Sequence, residues 1–193
     1  MLKNMPPRFA LILWPVVDKC LRTISRTKPV RADGSGIIRF NIHRYKGPTK
    51  LLNDGSEVKS GDRIIELHLD NVWFKRRRNL YLSVLQSPQE FLGCFAQDLQ
   101  ILAQQISRGT FGDIAALHGS TLLYVAARRL GFQVEELPDS LWKKGARFYM
   151  AGLMHVYHLR GDAVLGLRVK TWQLKEVWFS RATLLSKYGS KHT

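Results

Sequence analysis

Three titratable side chains stand at alternate positions in the stretch Glu-Leu-His-Leu-Asp-Asn at residues 66–71. Successive side chains of a β-strand point to opposite faces, so a strand here places Glu66, His68 and Asp70 on one face. An imidazole between two carboxylates can bind a polar ligand or transfer protons. The solvated side of an antiparallel sheet shows the same alternation, and that interpretation stays open. We predict a candidate ligand face at Glu66, His68, Asp70 and Asn71.

A second candidate lies at residues 118–121, His-Gly-Ser-Thr, directly before a predicted helix at 122–130. Backbone amides at the start of a helix bind anions, and Gly, Ser and Thr are common there. Gly119, Ser120 and Thr121 therefore form a candidate anion site, with a plain helix cap as the alternative. The stretch matches neither the nucleophile elbow G-x-S-x-G nor the phosphate-binding loop G-x-x-x-x-G-K-[ST].

The sequence shows no convincing set of metal ligands. His155 and His158 have a spacing that lets two imidazoles share a metal on a helix, but no third ligand is evident. The two cysteines, Cys20 and Cys94, lie far apart in apolar surroundings, which is typical of a reduced compartment rather than of a disulfide scaffold. We predict no metal, no cofactor and no identifiable catalytic residue.

The elements that position these residues are predicted to form an α+β domain. Ile38, Phe40 and Ile42 alternate with polar residues as in a half-buried strand. Turn signals at 46–48, 53–55 and 61–62 separate this strand from a second apolar stretch, which begins at Ile64 and ends at Leu69. Residues of about 36–72 are therefore predicted to form a compact antiparallel β-meander.

Helical signals dominate the rest of the chain. Ser-Pro-Gln-Glu at 87–90 is a strong helix start, and an apolar stripe follows it up to Gly109. We predict a second helix that ends at Gly131 and a third at about 140–158. A strand at 165–169 and a last helix, capped by Ser180 and ended by Gly189, complete the prediction.

The composition is that of a single globular domain with basic ends. The chain has 193 residues and a net charge of +15, from 30 Lys and Arg against 15 Asp and Glu. Residues 1–50 hold eleven Lys and Arg against two Asp, which leaves +9 of that excess. We divide the chain into a basic N-terminal helix or arm at 1–30 and one α+β domain at 31–193. A basic end favours an anionic partner.

The N-terminal segment is predicted to be an amphipathic helix at a membrane surface. Residues 9–17 are nine apolar residues, too few to span a bilayer, with basic residues on both sides. Such a segment lies in one leaflet with its Trp near the headgroups. The predicted lipid contacts are Phe9, Leu11, Leu13, Trp14, Arg22 and Arg26. In this interpretation the protein is cytoplasmic and attached to the cytoplasmic face; in the alternative, the helix packs on its own domain.

Nucleic acid is a less favoured anionic partner. Trp73 and Phe74 precede the basic run at 75–78, and Trp172 and Trp178 lie near Lys residues. Aromatic rings beside basic side chains bind single strands by stacking. No sequence signature of a nucleic-acid-binding fold accompanies them.

The chain resembles the YkoP-like domain family of spore-forming and related bacteria over roughly residues 37–189. The motifs that carry the resemblance are Arg44-Tyr45-Lys46-Gly47, Asp54-Gly55, Gly61-Asp62, Glu66-Leu67-His68-Leu69-Asp70-Asn71, Leu130-Gly131-Phe132, Leu137-Pro138, Glu176-Val177-Trp178-Phe179-Ser180-Arg181 and Lys187-Tyr188-Gly189. In that family the domain is a companion of polysaccharide deacetylases and also occurs alone. The resemblance therefore implies cell-envelope or spore polysaccharide metabolism, with polysaccharide-processing enzymes as partners.

The resemblance supplies no catalytic residue. Deacetylase chemistry needs an Asp beside a metal-binding His-x-x-x-His, and this pattern is missing. The first hypothesis is thus a non-catalytic accessory domain, peripheral to the membrane. The alternatives are a small enzyme or ligand-binding domain that uses Glu66, His68 and Asp70 with His118 and Ser120, and nucleic-acid binding through the basic surface.

Overall fold

The computed structural model describes residues 26–76, 88–137 and 173–189. The strands in these ranges are β1 (Lys28–Pro29), β2 (Ile38–Arg44), β3 (Lys50–Leu51), β4 (Glu57–Val58), β5 (Arg63–Leu69), β6 (Ala116–Thr121), β7 (Gln133–Glu136) and β8 (Lys175–Ser180). The helices are α1 (Asn71–Arg76), α2 (Pro88–Ser107), α3 (Tyr124–Leu130) and α4 (Arg181–Tyr188). The predicted α+β class is confirmed. The predicted helix at 140–158, the predicted strand at 165–169 and residues 1–25 of the predicted N-terminal helix or arm at 1–30 lie outside the described residues.

Six strands form one mixed sheet in the order β1-β2-β5-β6-β8-β7. All neighbours run antiparallel except β5 and β6, which are parallel and pair Ile64 with Ala116 and Glu66 with His118. A parallel pair needs a long crossover connection, which here contains α1 and α2. The strand β1 falls within the segment 1–30, so the sheet takes in the end of that segment.

The main core lies between one side of this sheet and the helices. On the predicted stripe of α2, Leu99, Leu102 and Ile106 are fully buried and pack with sheet residues such as Ile65 and Leu117. Ala127 and Leu130 of α3 and Leu184 of α4 join the same cluster. The period of α2 and the alternation of the strands therefore bury one continuous apolar layer, as the sequence predicts.

The predicted meander at 36–72 needs one correction. β3 and β4 form their own two-stranded hairpin, and β5 pairs directly with β2 along seven residues from Ile38↔Leu69 to Arg44↔Arg63. Leu52 and Val58 of the hairpin segment pack with Ile64, Ala116 and Trp178 in a second, smaller apolar cluster. The side chains of Ile64, Ala116 and Trp178 point away from the main core. The hairpin that packs on them therefore lies across the second side of the sheet.

The prediction that residues 118–121 lie at the start of a helix is wrong, because they are the last four residues of β6. Helix α3 begins only at Tyr124. Gly and Ser-Thr are ordinary turn signals, but Gly119 serves close packing here: a Cβ at Gly119 would lie 3.2 Å from the Leu67 carbonyl oxygen. The glycine therefore permits β6 to lie tightly against β5.

The predicted start and end of α4 and the predicted end of α3 are confirmed. Ser180 accepts a hydrogen bond from the Thr183 amide at the start of α4, and Gly189 follows its end. Gly131 ends α3 with a left-handed backbone at φ 101°. None of the helices in the described part of the chain combines the length and the apolar content that crossing a membrane requires.

Candidate functional site

Polar side chains from three neighbouring strands meet on the second side of the sheet. Glu66 and His68 of β5, His118 and Ser120 of β6, and Glu176 of β8 alternate with the apolar residues that face the helices. We call these five residues the polar face. The described helices pack on the opposite side, and the hairpin covers the neighbouring Ile64, Ala116 and Trp178. The polar face is therefore a cluster of titratable groups beside a packed hairpin.

The imidazole of His118 is oriented by two neighbours on β8. Its Nε2 lies 2.9 Å from Glu176 Oε1, a hydrogen-bond distance. Its ring also stacks on the indole of Trp178, with centroids 4.3 Å apart. An ionised carboxylate only accepts hydrogen bonds, so Nε2 carries a proton and donates it to Glu176. A carboxylate–histidine pair of this kind is suited to proton transfer or to binding a hydrogen-bond donor.

The environment of His68 on β5 is different. Its Nε2 is buried and has no hydrogen-bond partner. The nearest carboxylate oxygen, Glu66 Oε2, lies 3.8 Å away, and the same oxygen lies 3.8 Å from His43 Nδ1. These separations exceed the 2.7–3.2 Å that is typical of N–H···O hydrogen bonds, about 2.9 Å on average. The three polar atoms thus converge without bonding to one another.

A lysine from the hairpin balances the charge at one end of the polar face. Lys50 forms an ion pair with Glu135 of β7, and its Nζ lies 3.8 Å from Glu176 Oε2. The same ammonium lies 5.7 Å from the ring centroid of Trp178, a cation–π distance. Lys50 therefore ties the hairpin to β7 and β8 and neutralises carboxylate charge next to His118.

Burial and hydrogen bonds shift two pKa values in the cluster. Burial is the main cause that lowers the pKa of His68 below 6.5; the Glu66 charge opposes this effect, while His118, Arg39 and His43 add to it. Burial alone would raise the pKa of Glu176, but the hydrogen bond with His118 and the Coulomb interactions with His118 and Lys50 outweigh it and lower this pKa below 4.5. Near neutral pH, the site thus holds a neutral His68 and an ionised Glu176.

The structure brings together some of the predicted site residues and separates others. Glu66, His68, His118 and Ser120 lie on the same side of adjacent strands, as a shared site requires. Asp70 is buried beyond the end of β5, where it accepts a hydrogen bond from the Val72 amide.

Asp70 and Asn71 stand at the boundary between strand and helix. Asp70 Oδ2 also lies 3.7 Å from the guanidinium of Arg39, and Asn71 is the first residue of α1. Asp70 therefore helps to fix the start of α1, and Asn71 belongs to that helix rather than to the polar face.

The candidate anion site at Gly119, Ser120 and Thr121 does not lie at a helix start. All three residues are paired within β6, and only Ser120 shares the polar side. The Thr121 hydroxyl accepts a hydrogen bond from the Leu123 amide and so shapes the turn into α3. The amides that the prediction assigned to an anion belong to a strand.

Other predicted contacts have mixed outcomes. Arg26 is exposed, while Phe9, Leu11, Leu13, Trp14 and Arg22 lie outside the described residues, as do His155, His158, Trp172 and Cys20. Trp73 and Trp178 are 5% and 1% exposed, so neither ring is free to stack on a base. Cys94 is a free thiol. Among residues 26–76, 88–137 and 173–189, no group of three or more His, Cys, Asp or Glu could hold a metal ion.

Sequence reasoning missed Glu176, Lys50 and Glu135. Residues 177–180 of β8 are all buried, on both sides of the sheet, so β8 lacks the polar–apolar alternation that reveals a half-buried strand. In β7, the polar Gln133 and Glu135 alternate with the apolar Val134. This short alternation is the sequence signal that could have placed Glu135 on the polar side of a strand.

The comparisons with known proteins agree on one family. The sequence model of the YkoP domain matches residues 7–188. The protein named "Uncharacterized protein YkoP" of Bacillus subtilis (strain 168) is 26% identical over 125 residues, which cover 64% of this chain and 68% of that protein. No solved structure matches the chain. Since the family match spans almost the whole chain, the protein belongs to the YkoP domain family.

Proposed function

We propose that this protein is a non-catalytic binding domain for cell-envelope polysaccharide fragments, and that the polar face is its ligand site. The observation that carries the proposal is the convergence of Glu66, His68 and His118 on one side of the sheet, with His68 Nε2 buried and unpaired. A buried polar atom without a partner costs free energy, so evolution retains it mainly where a ligand completes the hydrogen bonds.

The ligand class comes from the sequence resemblance rather than from the geometry. YkoP-like domains accompany polysaccharide deacetylases, and a saccharide presents the hydroxyl and amide groups that imidazole and carboxylate side chains bind. In this proposal the domain works beside polysaccharide-processing enzymes at the cytoplasmic face of the membrane. The basic segment at 1–30 would hold it there by contact with anionic lipid.

Histidine side-chain NMR tests the binding proposal directly. The full chain is titrated with β-1,4-linked pentamers of glucosamine and of N-acetylglucosamine while the imidazole resonances are followed. We expect at least one pentamer to shift the His68 and His118 signals in a saturable manner. His68→Gln should weaken the binding, whereas Gln100→Ala, at an exposed position of α2, should not. Imidazole signals that stay unchanged with both pentamers would contradict the proposal.

The His118–Glu176 pair also favours a second candidate, a small acid–base enzyme on the same face. An imidazole held by a carboxylate 2.9 Å away is the arrangement that general acid–base catalysis uses. Turnover of either pentamer that is lost in His118→Gln would favour this candidate over simple binding. Nucleic-acid binding has less support, because Trp73 and Trp178 are buried.

A further inference from the structure

We propose that the polar face holds its ligand through a protonated amine, which donates hydrogen bonds to Glu66 Oε2 and His68 Nε2. This inference rests on the proposed function and names the chemistry of the group that enters the site. It makes Glu66 the residue that determines specificity.

The spacing of two polar atoms fits one bridging donor. Glu66 Oε2 and His68 Nε2 are 3.8 Å apart, too far to bond to each other. A hydrogen bond to either acceptor is about 2.9 Å long, so a single nitrogen can reach both atoms at once. An ammonium group has three hydrogens in a tetrahedral arrangement and can donate to two acceptors on one side. A third acceptor is nearby, because His43 Nδ1 also lies 3.8 Å from Glu66 Oε2.

The charges around the site identify which carboxylate needs a cation. Glu176 has a hydrogen bond from His118 and a contact with Lys50, and Glu135 has its ion pair with Lys50. Glu66 lacks such a partner: within the described ranges, neither a lysine nor an arginine pairs with its carboxylate, and only two imidazoles approach it. An added positive charge at this point would complete the pairing.

The local charge thus differs in sign from that of the whole chain. The protein carries +15, which favours anionic partners for its surface as a whole. A phosphate or carboxylate at the polar face would instead be repelled by Glu66. Charge-assisted hydrogen bonds from an ammonium are about twice as strong as neutral ones, so the amine is the favoured group.

The protonation of His68 is consistent with this assignment. Its lowered pKa keeps the ring neutral near neutral pH, so the ring adds no positive charge of its own. In the tautomer that carries its proton on Nδ1, the Nε2 lone pair is free to accept from the amine. The ¹⁵N shifts of the ring report this tautomer, which gives a readout independent of affinity.

The experiment compares two probes that differ at the amino group. Calorimetry measures the affinity of the full chain for pentamers of glucosamine and of N-acetylglucosamine, at pH 7 and in moderate salt. We expect the glucosamine pentamer to bind about tenfold more tightly or better, which corresponds to one or more charge-assisted hydrogen bonds. Glu66→Gln should remove this preference. The matched control is Glu57→Gln, an exposed carboxylate of the hairpin, which should keep it.

Each outcome separates the two proposals. Equal affinity for the two pentamers would overturn the amine assignment and leave the binding function standing. A preference for the glucosamine pentamer that survives in Glu66→Gln would also overturn the amine assignment, because this variant lacks the negative charge to which the preference is assigned. Binding of neither pentamer, in a chain whose circular dichroism shows it to be folded, would overturn both proposals.

Discussion

At the scale of single residues, two carboxylates illustrate how a structural acid differs from a candidate functional one. Asp98 is fully buried, yet its oxygens accept hydrogen bonds from the Ile37 and Ile38 amides at 2.7 and 2.9 Å and from Arg31 at 2.6 Å. Every donor it needs is supplied by the fold, so Asp98 fastens α2 to the start of β2. Within the described part of the chain, Glu66 has no such set of donors, and it is therefore the carboxylate to which our proposal assigns a ligand.

His68 leads to a prediction about pH and stability. In the unfolded chain this histidine has its ordinary pKa of 6.5, whereas burial lowers the pKa in the folded protein. The unfolded state therefore binds more protons, and the free energy of unfolding should fall as pH falls below about 6.5, until the folded pKa is passed. The groups that face the ring are Glu66, His118, Arg39 and His43.

Urea unfolding at pH values from 7.5 to 5 measures this dependence. We expect His68→Gln to lose a measurable part of the decrease that the native chain shows, since glutamine does not titrate. His43→Gln, at a more exposed ring, is the matched control and should retain it. An identical slope in the native chain and in His68→Gln would refute the assignment.

At the scale of elements, the hairpin β3–β4 is held against the rest of the fold by its turn. Asp54 accepts hydrogen bonds from the hydroxyls of Ser180 and Thr183 at the start of α4 and from the Ser56 amide. The Asn53 amide also donates to Gln133 Oε1 of β7 at 2.7 Å. The hairpin, β7 and α4 therefore meet at one corner, around a cavity of about 240 Å³.

We expect Asp54→Asn to loosen this corner without unfolding the sheet. Burial would raise the pKa of Asp54, but the hydrogen bonds outweigh it and lower the pKa to about 2. Its stabilising contribution is thus present above the unfolded value of 3.8 and is lost as pH falls through about 2. Hydrogen exchange at pH 7 should become faster at the hairpin amides in Asp54→Asn and stay unchanged in β5. Glu57→Gln is the control, and equal exchange in both variants would contradict the prediction.

The elements also show how far sequence patterns predict this fold. β2, β5 and α2 each have one apolar and one polar side, so period alone locates them. β8 is buried on both sides and therefore lacks that contrast, and β6 contains a glycine that packing with Leu67 demands. Two of the five residues of the polar face, Glu66 and His68, could be predicted from alternation. The pairing of His118 with Glu176 could not, because it depends on a sheet order that local patterns do not contain.

At the scale of the whole molecule, the basic charge and the polar face belong to different parts of the chain. Residues 1–50 carry most of the positive excess, whereas the polar face has Glu66 and Glu176. We expect deletion of residues 1–25 to abolish flotation of the protein with anionic liposomes and to leave pentamer binding intact. Neutral liposomes are the control for charge. Flotation that persists after the deletion would contradict this prediction and would show that the membrane contact lies elsewhere in the chain.

The place of β8 in the sheet has a consequence for synthesis on the ribosome. β6 and β7 both precede β8 in the chain, and both pair with it in the sheet. The growing chain must therefore reach residues 175–180 before these two strands acquire their shared partner. Contacts over such sequence distances form late and slow the folding of a domain. In a nascent chain stalled before β8, one edge of β6 and the whole of β7 are unpaired, and exposed strand edges of this kind are prone to aggregation.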